Sequence, residues 1–133
     1  MKKLVIILGI LISGMLLWQS CTKDSSLTGD IDAREAFVGN WSVTDVCSKQ
    51  TYGVNIQLNA NNSAEVIIEN FANLGQSATA VIADNSIYVE KQDVGNGYSV
   101  SGNGLLSGEV IAWSAYNFET DGESTECSAT FKK

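Results

Sequence analysis

The sequence predicts an all-β domain, a small antiparallel meander of eight strands. From Phe37 onward, apolar and polar residues alternate in short runs, which is the pattern of strands with one buried face. Clusters of Asn, Gly, Ser and Asp separate these runs at the close spacing of hairpin turns. No long helical pattern is visible and the chain contains no proline, so nothing demotes a strand to a sheet edge.

The first twenty residues have the composition of a secretory signal peptide. A positively charged start is followed by an apolar run, Leu4 to Trp18, which is short for a membrane span of roughly 20 residues and suits a secretory signal. The run ends at Cys21, and this ending resembles the lipobox of bacterial lipoproteins, in which the cysteine is acylated. The resemblance implies a signal peptide over residues 1–20, acyl chains such as palmitate on Cys21, and a lipid-anchored protein of the outer membrane or cell surface. A cleaved secretory signal with an incidental cysteine is the alternative.

Residues 21–35 are predicted to form the lipidated cysteine and a flexible tether. The stretch from Thr22 to about Asp32 has no apolar periodicity, which is typical of a solvated spacer. Ala33–Ala36 is expected to form one helical turn before the first strand. The β-domain is therefore expected over residues 36–133.

The alternation defines eight strands and the turns between them. The predicted strands are Val38–Cys47, Tyr52–Leu58, Ala64–Asn70, Thr79–Ala83, Ser86–Glu90, Tyr98–Gly102, Glu109–Phe118 and Thr125–Phe131. The turn signals are Asn59–Ser63, Asp84–Asn85, Asp93–Gly97, Asn103–Gly104 and Thr120–Glu123. With no helix interposed, strands at this spacing form an antiparallel meander.

The first strand begins with Phe37-Val38-Gly39-Asn40-Trp41. A Gly-x-Trp in this position, after a helical turn and at the start of an eight-strand meander, resembles the lipocalin signature. The chain is similar to short, uncharacterised lipocalin-like lipoproteins of the Bacteroidota over roughly residues 35–133. The resemblance implies a closed barrel in which Phe37, Gly39 and Trp41 form a structural motif at the closed end. It implies no catalytic residue.

Two cysteines support closure of the barrel on separate grounds. Cys47 ends the first predicted strand and Cys127 lies in the last, and these strands are neighbours in a closed meander. With Cys21 assigned to lipid, the remaining pair is even, as an oxidising envelope favours. The sequence therefore predicts a Cys47–Cys127 disulfide, with two buried free thiols as the alternative.

Composition excludes several functional classes. The 133 residues include fifteen acidic and eight basic ones, a formal net charge of −7, which argues against a nucleic-acid partner. There is no histidine, so the usual triad base and the commonest metal ligand are missing. No nucleophile-elbow motif is present either. We therefore expect no enzymatic activity, no cofactor and no metal site.

Strand alternation leaves two interpretations of the barrel interior. Ten side chains are expected to point inward: Trp41, Tyr52, Ile56, Leu58, Ile68, Ile82, Val89, Val100, Tyr116 and Phe131. They either fill the lumen or leave a pocket for one small apolar ligand. Tyr98, Trp113 and Tyr116 are the candidate lining residues of such a pocket, because aromatic rings offer apolar area with a polar tip.

The strand Glu109–Phe118 has apolar residues on both faces under strict alternation. A second interpretation of Trp113 therefore places it on an outer face beside Ile111, and the other places it in the core. On the outer face they are either covered or exposed as an aromatic platform for a glycan or a protein. The sequence thus predicts a lipid-anchored, non-enzymatic binding or interaction module, with a carrier of one small apolar ligand as the alternative. Its expected partners are the membrane and a small ligand, a glycan or an envelope protein.

Overall fold

The computed structural model describes residues 31–133, which form a closed antiparallel β-barrel of eight strands. Its strands are β1 (Gly39–Asp45), β2 (Thr51–Leu58), β3 (Glu65–Glu69), β4 (Ala78–Ala83), β5 (Ser86–Gly95), β6 (Tyr98–Ser107), β7 (Val110–Thr120) and β8 (Glu123–Lys132). The predicted all-β meander and its closure are confirmed. The predicted signal peptide, Cys21 and most of the tether lie outside the described residues. Within the described range, no helix is long and apolar enough to cross a membrane.

Closure of the barrel depends on one seam between the ends of the domain. Each strand pairs with the next, and β1 also pairs with β8 over four positions, from Ser42 opposite Lys132 to Asp45 opposite Ala129. Just beyond this seam, Cys47 and Cys127 form the predicted disulfide, which joins residues 80 positions apart. The covalent bond therefore fastens the pair of strands that is most distant in sequence.

Strands β5 and β6 are longer than predicted, and β6 runs through one of the predicted turns. Both β5 and β6 have ten residues, and Asn103–Gly104 lies inside β6, so the prediction of a turn there was wrong. A Cβ on Gly104 would lie 3.0 Å from methyl groups of Ile87 and Ile111. The glycine is therefore required for close packing of the interior, whereas the chain turns near Gly108, whose φ is +61°.

A bulge in β7 decides which of its side chains face the interior. Trp113 pairs with Ala129 and Tyr116 with Cys127, so β7 has one more residue than β8 between these pairs. The extra residue reverses the alternation, and Trp113 and Tyr116 both point inward. Of the two interpretations of Trp113, the one that places it on an outer face beside Ile111 was therefore wrong, and the one that places it in the core is confirmed. Ala112 is exposed instead.

A glutamine side chain completes the seam between β4 and β5. Backbone pairing of these strands covers only Val81–Ala83 of β4, and beyond it the strands diverge. Gln92 bridges the gap, because its Oε1 accepts from the Thr79 N–H and its Nε2 donates to the Thr79 carbonyl, each over 2.8 Å. Its Nε2 also donates to the Glu90 carbonyl over 3.0 Å. The amide thus makes the two hydrogen bonds that a backbone partner of Thr79 would make.

A short 3₁₀ helix, Ala33–Ala36, precedes β1 at the end of the barrel where that strand begins, and one helical turn was expected there. The Asp32 carboxylate caps it by accepting from the Arg34 backbone N–H over 3.0 Å, and hydrogen bonds from Arg34 lower the pKa of that carboxyl. The Arg34 guanidinium also donates to three carbonyls of the β2–β3 connection, those of Asn59, Asn62 and Glu65. Arg34 therefore ties the start of the domain to that turn.

Trp41 and Phe37 seal the same end from within. Trp41 donates from its indole N–H to the Phe37 carbonyl over 2.7 Å, and both side chains are buried. The Lys133 ammonium lies 4.8 Å from the Trp41 ring centre and donates to the Ala36 carbonyl over 3.2 Å. A cation over an indole face is a favourable contact, so the last residue helps to cover the start of β1.

Candidate functional site

Buried side chains from all eight strands fill the barrel interior. The largest are aromatic: Phe37, Trp41, Phe71, Trp113, Tyr116 and Phe131. Most of the side chains expected to point inward are indeed buried. Two are exceptions. Tyr52 is only partly buried, and Leu58 is 36% exposed because it ends β2 at the rim of the barrel. Of the two interpretations of the sequence, the structure therefore corresponds to the one in which side chains fill the lumen.

Phe71 enters the interior from the connection between β3 and β4. Its ring packs edge-on against Trp113 and Tyr116, with centroids 5.2 and 5.7 Å away. The connection holds three non-glycine residues with positive φ around this side chain, namely Asn70, Ala72 and Asn73. Left-handed conformations are unfavourable for an alanine, so the packing of Phe71 is maintained against local backbone strain.

The predicted pocket residues occupy different parts of the molecule. Trp113 and Tyr116 meet through Phe71, whereas Tyr98 is half-buried at the start of β6 and lies outside the core cluster. Trp113 is only 1% exposed, so it forms no outer platform. Its Nε1 has no hydrogen-bond partner within the described residues. A buried indole N–H normally finds an acceptor, which makes this donor exceptional in the core.

A buried carboxylate lies at the opposite end of the barrel from Trp41. Asp45, 4% exposed, accepts hydrogen bonds from the Tyr116 hydroxyl and, over 2.7 Å, from the Cys47 backbone N–H. Burial and the hydrogen bond to Asp45 raise the pKa of Tyr116 well above its usual range. Burial and the nearby Asp45 charge have the same effect on the pKa of Tyr52. Both phenols therefore stay neutral and act as fixed dipoles around the carboxylate.

One group of metal-ligating atoms occurs in the described part of the chain. An Asp45 oxygen and the sulfurs of Cys47 and Cys127 lie within 4.8 Å of one another. The sulfurs are bonded to each other, and metal coordination by cysteine requires thiolates. In the disulfide form, this group therefore stabilises the start of the β1–β2 turn and offers no metal site.

The outer face of β5, β6 and β7 carries a shallow hollow of about 520 Å³. Tyr88 and Leu105 line it with exposures of 52% and 51%, although large apolar side chains at such exposure are few in this domain. The remaining lining is small or uncharged: Ser86, Ile87, Asn103, Gly104, Ala112 and Ser114. The bulge in β7 places Ala112 and Ser114 on this face. We refer to this feature as the Leu105 hollow.

A second depression of about 320 Å³ lies on the other side of Tyr88, over β3, β4 and β5. It follows the gap bridged by Gln92. Its lining residues are Glu65, Thr79, Val81, Tyr88, Glu90, Lys91 and Gln92. We refer to it as the acidic cleft, because the Lys91 ammonium is paired over 2.7 Å with Glu119 while the two glutamates have no salt-bridge partner in residues 31–133. Tyr88 therefore separates an uncharged hollow from an acidic one.

Sequence reasoning did not select this surface. The alternation that places Ile87 and Val89 inward does imply an outward Tyr88 between them, so one signal was present. No such signal was present for Leu105, because Asn103–Gly104 has the composition of a turn and the predicted strand ends before this dipeptide.

Comparisons of the chain with protein-family models, with curated proteins and with solved structures find no match. The functional assignment therefore comes from the barrel and its surfaces.

Proposed function

We propose that the protein is a lipid-anchored, non-enzymatic binding module of the outer membrane or cell surface, and that it binds through the outer face of β5–β7. The anchoring part of the proposal rests on the apolar run Leu4 to Trp18 and on Cys21. The binding part rests on one observation: the interior is filled by side chains, while Tyr88 and Leu105 stand half-exposed around an uncharged hollow.

Exposed tyrosine and leucine side chains in a concave patch are typical of binding surfaces. Aromatic residues supply much of the energy at protein interfaces, particularly in the water-excluded centre. A depression with an apolar lining is also where a partner side chain loses most contact with water. The Leu105 hollow provides both features on rigid strands, which favours a preformed site.

Cross-linking in the native envelope tests the binding part. A photo-reactive amino acid replaces Leu105 in the full chain, and in a matched control it replaces Ser42, which is exposed on β1. We expect a discrete adduct from position 105 that Tyr88→Ala suppresses, and none from position 42. Equal labelling at both positions, or none at 105, would contradict the proposal. Loss of membrane association in Cys21→Ser tests the anchor separately.

A carrier of one small ligand is the second candidate function. The buried Nε1 of Trp113 has no acceptor within residues 31–133 and favours it, because a ligand acceptor could use this donor if Phe71 moved aside. Native mass spectrometry of protein purified from its own envelope tests it. An excess mass that leaves on unfolding, and that is reduced in Trp113→Phe, would support a carrier. A bare polypeptide mass, allowing for lipid, would support the surface module.

A further inference from the structure

We propose that Tyr88 lies at the centre of a two-part site for an extended segment of a partner protein, with an apolar side chain in the Leu105 hollow and a Lys or Arg side chain in the acidic cleft. This inference rests on the proposed function and specifies the partner for the same surface. It follows from the contrast between the two depressions that share the Tyr88 side chain.

The register of the strands sets the spacing of the two parts. Glu65, Val81, Tyr88 and Asn103 are paired in one row across β3, β4, β5 and β6. Neighbouring strands lie about 4.8 Å apart, so three intervals separate Glu65 from the strand that carries Leu105 by roughly 14 Å. An extended chain advances about 3.3 Å per residue. The apolar and basic side chains of the partner are therefore expected about four positions apart, which also places them on the same face.

The charges of the cleft select a cation. One oxygen of Glu65 accepts from the Asn59 side-chain amide over 2.9 Å, and the other accepts no hydrogen bond from the described residues, while Glu90 is exposed. Lys91 has its charge directed to Glu119, and the whole chain has a net charge of −7. The phenol ring of Tyr88 beside these carboxylates adds a cation–π surface for an ammonium or guanidinium group.

Other occupants fit these depressions less well. A neutral glycan would use the ring of Tyr88, but it would leave two carboxylates without a counter-charge and would gain little from the aliphatic Leu105. A second copy of this chain would present the same patch, so the glutamates of one copy would face either those of the other copy or its apolar hollow, and neither supplies a cation. A polypeptide with both an apolar and a basic side chain complements both depressions at once.

Selection from a random peptide library tests the inference, because it does not require the partner to be identified first. Short peptides displayed on phage are panned on the full, acylated chain in detergent. We expect enriched peptides to share an apolar residue and a Lys or Arg about four positions apart. Synthetic versions should bind Tyr88→Ala at least about tenfold more weakly. They should bind the Glu65→Gln/Glu90→Gln pair roughly three- to tenfold more weakly at low salt.

Tyr98→Ala is the matched control, because that tyrosine lies outside both depressions; it should leave peptide binding unchanged. Enrichment of peptides without a basic residue, or of peptides that bind Tyr88→Ala equally well, would overturn the inference. So would Tyr88-dependent binding of neutral oligosaccharides in place of peptides. If position 105 still cross-links in the envelope while no peptide is enriched, the inference fails and the proposed function stands. If position 105 does not cross-link and no peptide is enriched, both the proposed function and the inference are wrong.

Discussion

The Gln92 side chain offers a sharp test of how the barrel closes between β4 and β5. Its amide both accepts from and donates to the Thr79 backbone over 2.8 Å. In Gln92→Ala these two half-buried backbone groups lose their partners. A buried polar group without a hydrogen-bond partner costs about 1–3 kcal/mol. Because water reaches the two Thr79 groups in part, their combined cost is roughly 2–3 kcal/mol. We expect Gln92→Ala to reduce the free energy of unfolding by that amount.

Gln92→Glu separates hydrogen bonding from packing, because it preserves shape and adds a titratable group. At neutral pH the carboxylate still accepts from the Thr79 N–H, but its other oxygen faces the Thr79 carbonyl and repels it. The folded state therefore favours the protonated acid, and the pKa of this glutamate is expected to rise above its unfolded value of about 4.3. The protonated side chain therefore makes its full contribution to the stability of the folded state below about pH 4. That contribution is lost as pH rises through the pKa of the folded state.

Urea unfolding followed by tryptophan fluorescence measures both effects between neutral pH and about pH 4. The free energy of unfolding of Gln92→Glu should approach that of the unaltered chain as pH falls, because the protonated acid donates to the Thr79 carbonyl. The deficit of Gln92→Ala should not change with pH, since this variant adds no titratable group. A Gln92→Ala protein as stable as its parent, or a Gln92→Glu deficit independent of pH, would refute the bridging role.

Three further perturbations have defined outcomes. Reduction of Cys47–Cys127 should lower the melting temperature measured by circular dichroism, because a bond across 80 residues contributes about 4–5 kcal/mol in the chain-entropy model; an unchanged melting point would contradict the bond. Gly104→Ala should destabilise by about 1–3 kcal/mol in urea unfolding, because its Cβ would crowd three interior side chains. Gly53→Ala, with open space around the new Cβ, should be close to neutral. Tyr116→Phe should lose about 1–3 kcal/mol by the same assay, because a buried carboxylate loses its phenol donor; equal unfolding midpoints would show that this hydrogen bond contributes nothing.

Sequence patterning was sufficient for the order of the strands. A meander of eight strands has its first and last strands at opposite edges, and these edges meet only if the sheet closes, as the resemblance to lipocalins implied. Given closure, Cys47 at the end of the first predicted strand and Cys127 in the last come close together, and their disulfide is confirmed. Alternation also identified most of the interior, because a half-buried strand must change faces at every residue.

The same patterning predicted the wrong faces where one extra residue shifts the alternation of inward and outward side chains. The bulge between Trp113 and Tyr116 carries no local signature, and one extra residue turns an apparently two-faced apolar strand into one with an inward aromatic pair. Asn103–Gly104 failed for a different reason. The dipeptide has the chemistry of a tight turn, but here the glycine makes room for Ile87 and Ile111, a requirement that arises only from the tertiary structure. The Leu105 hollow could not be predicted without knowing both the bulge in β7 and the full length of β6.

The seam between β1 and β8 also constrains the order in which the barrel can assemble. Every other seam joins strands consecutive in the chain, and such local pairs form early, whereas contacts between distant segments carry the largest loop-closure penalty and set the rate. Until β8 is in place, one edge of β1 is an unpaired row of backbone donors and acceptors, which can recruit other chains. In a chain exported N-terminus first, β1 would wait for the entire domain to emerge. Oxidation of the two cysteines would then be the last event, and it would convert a reversible closure into a permanent one.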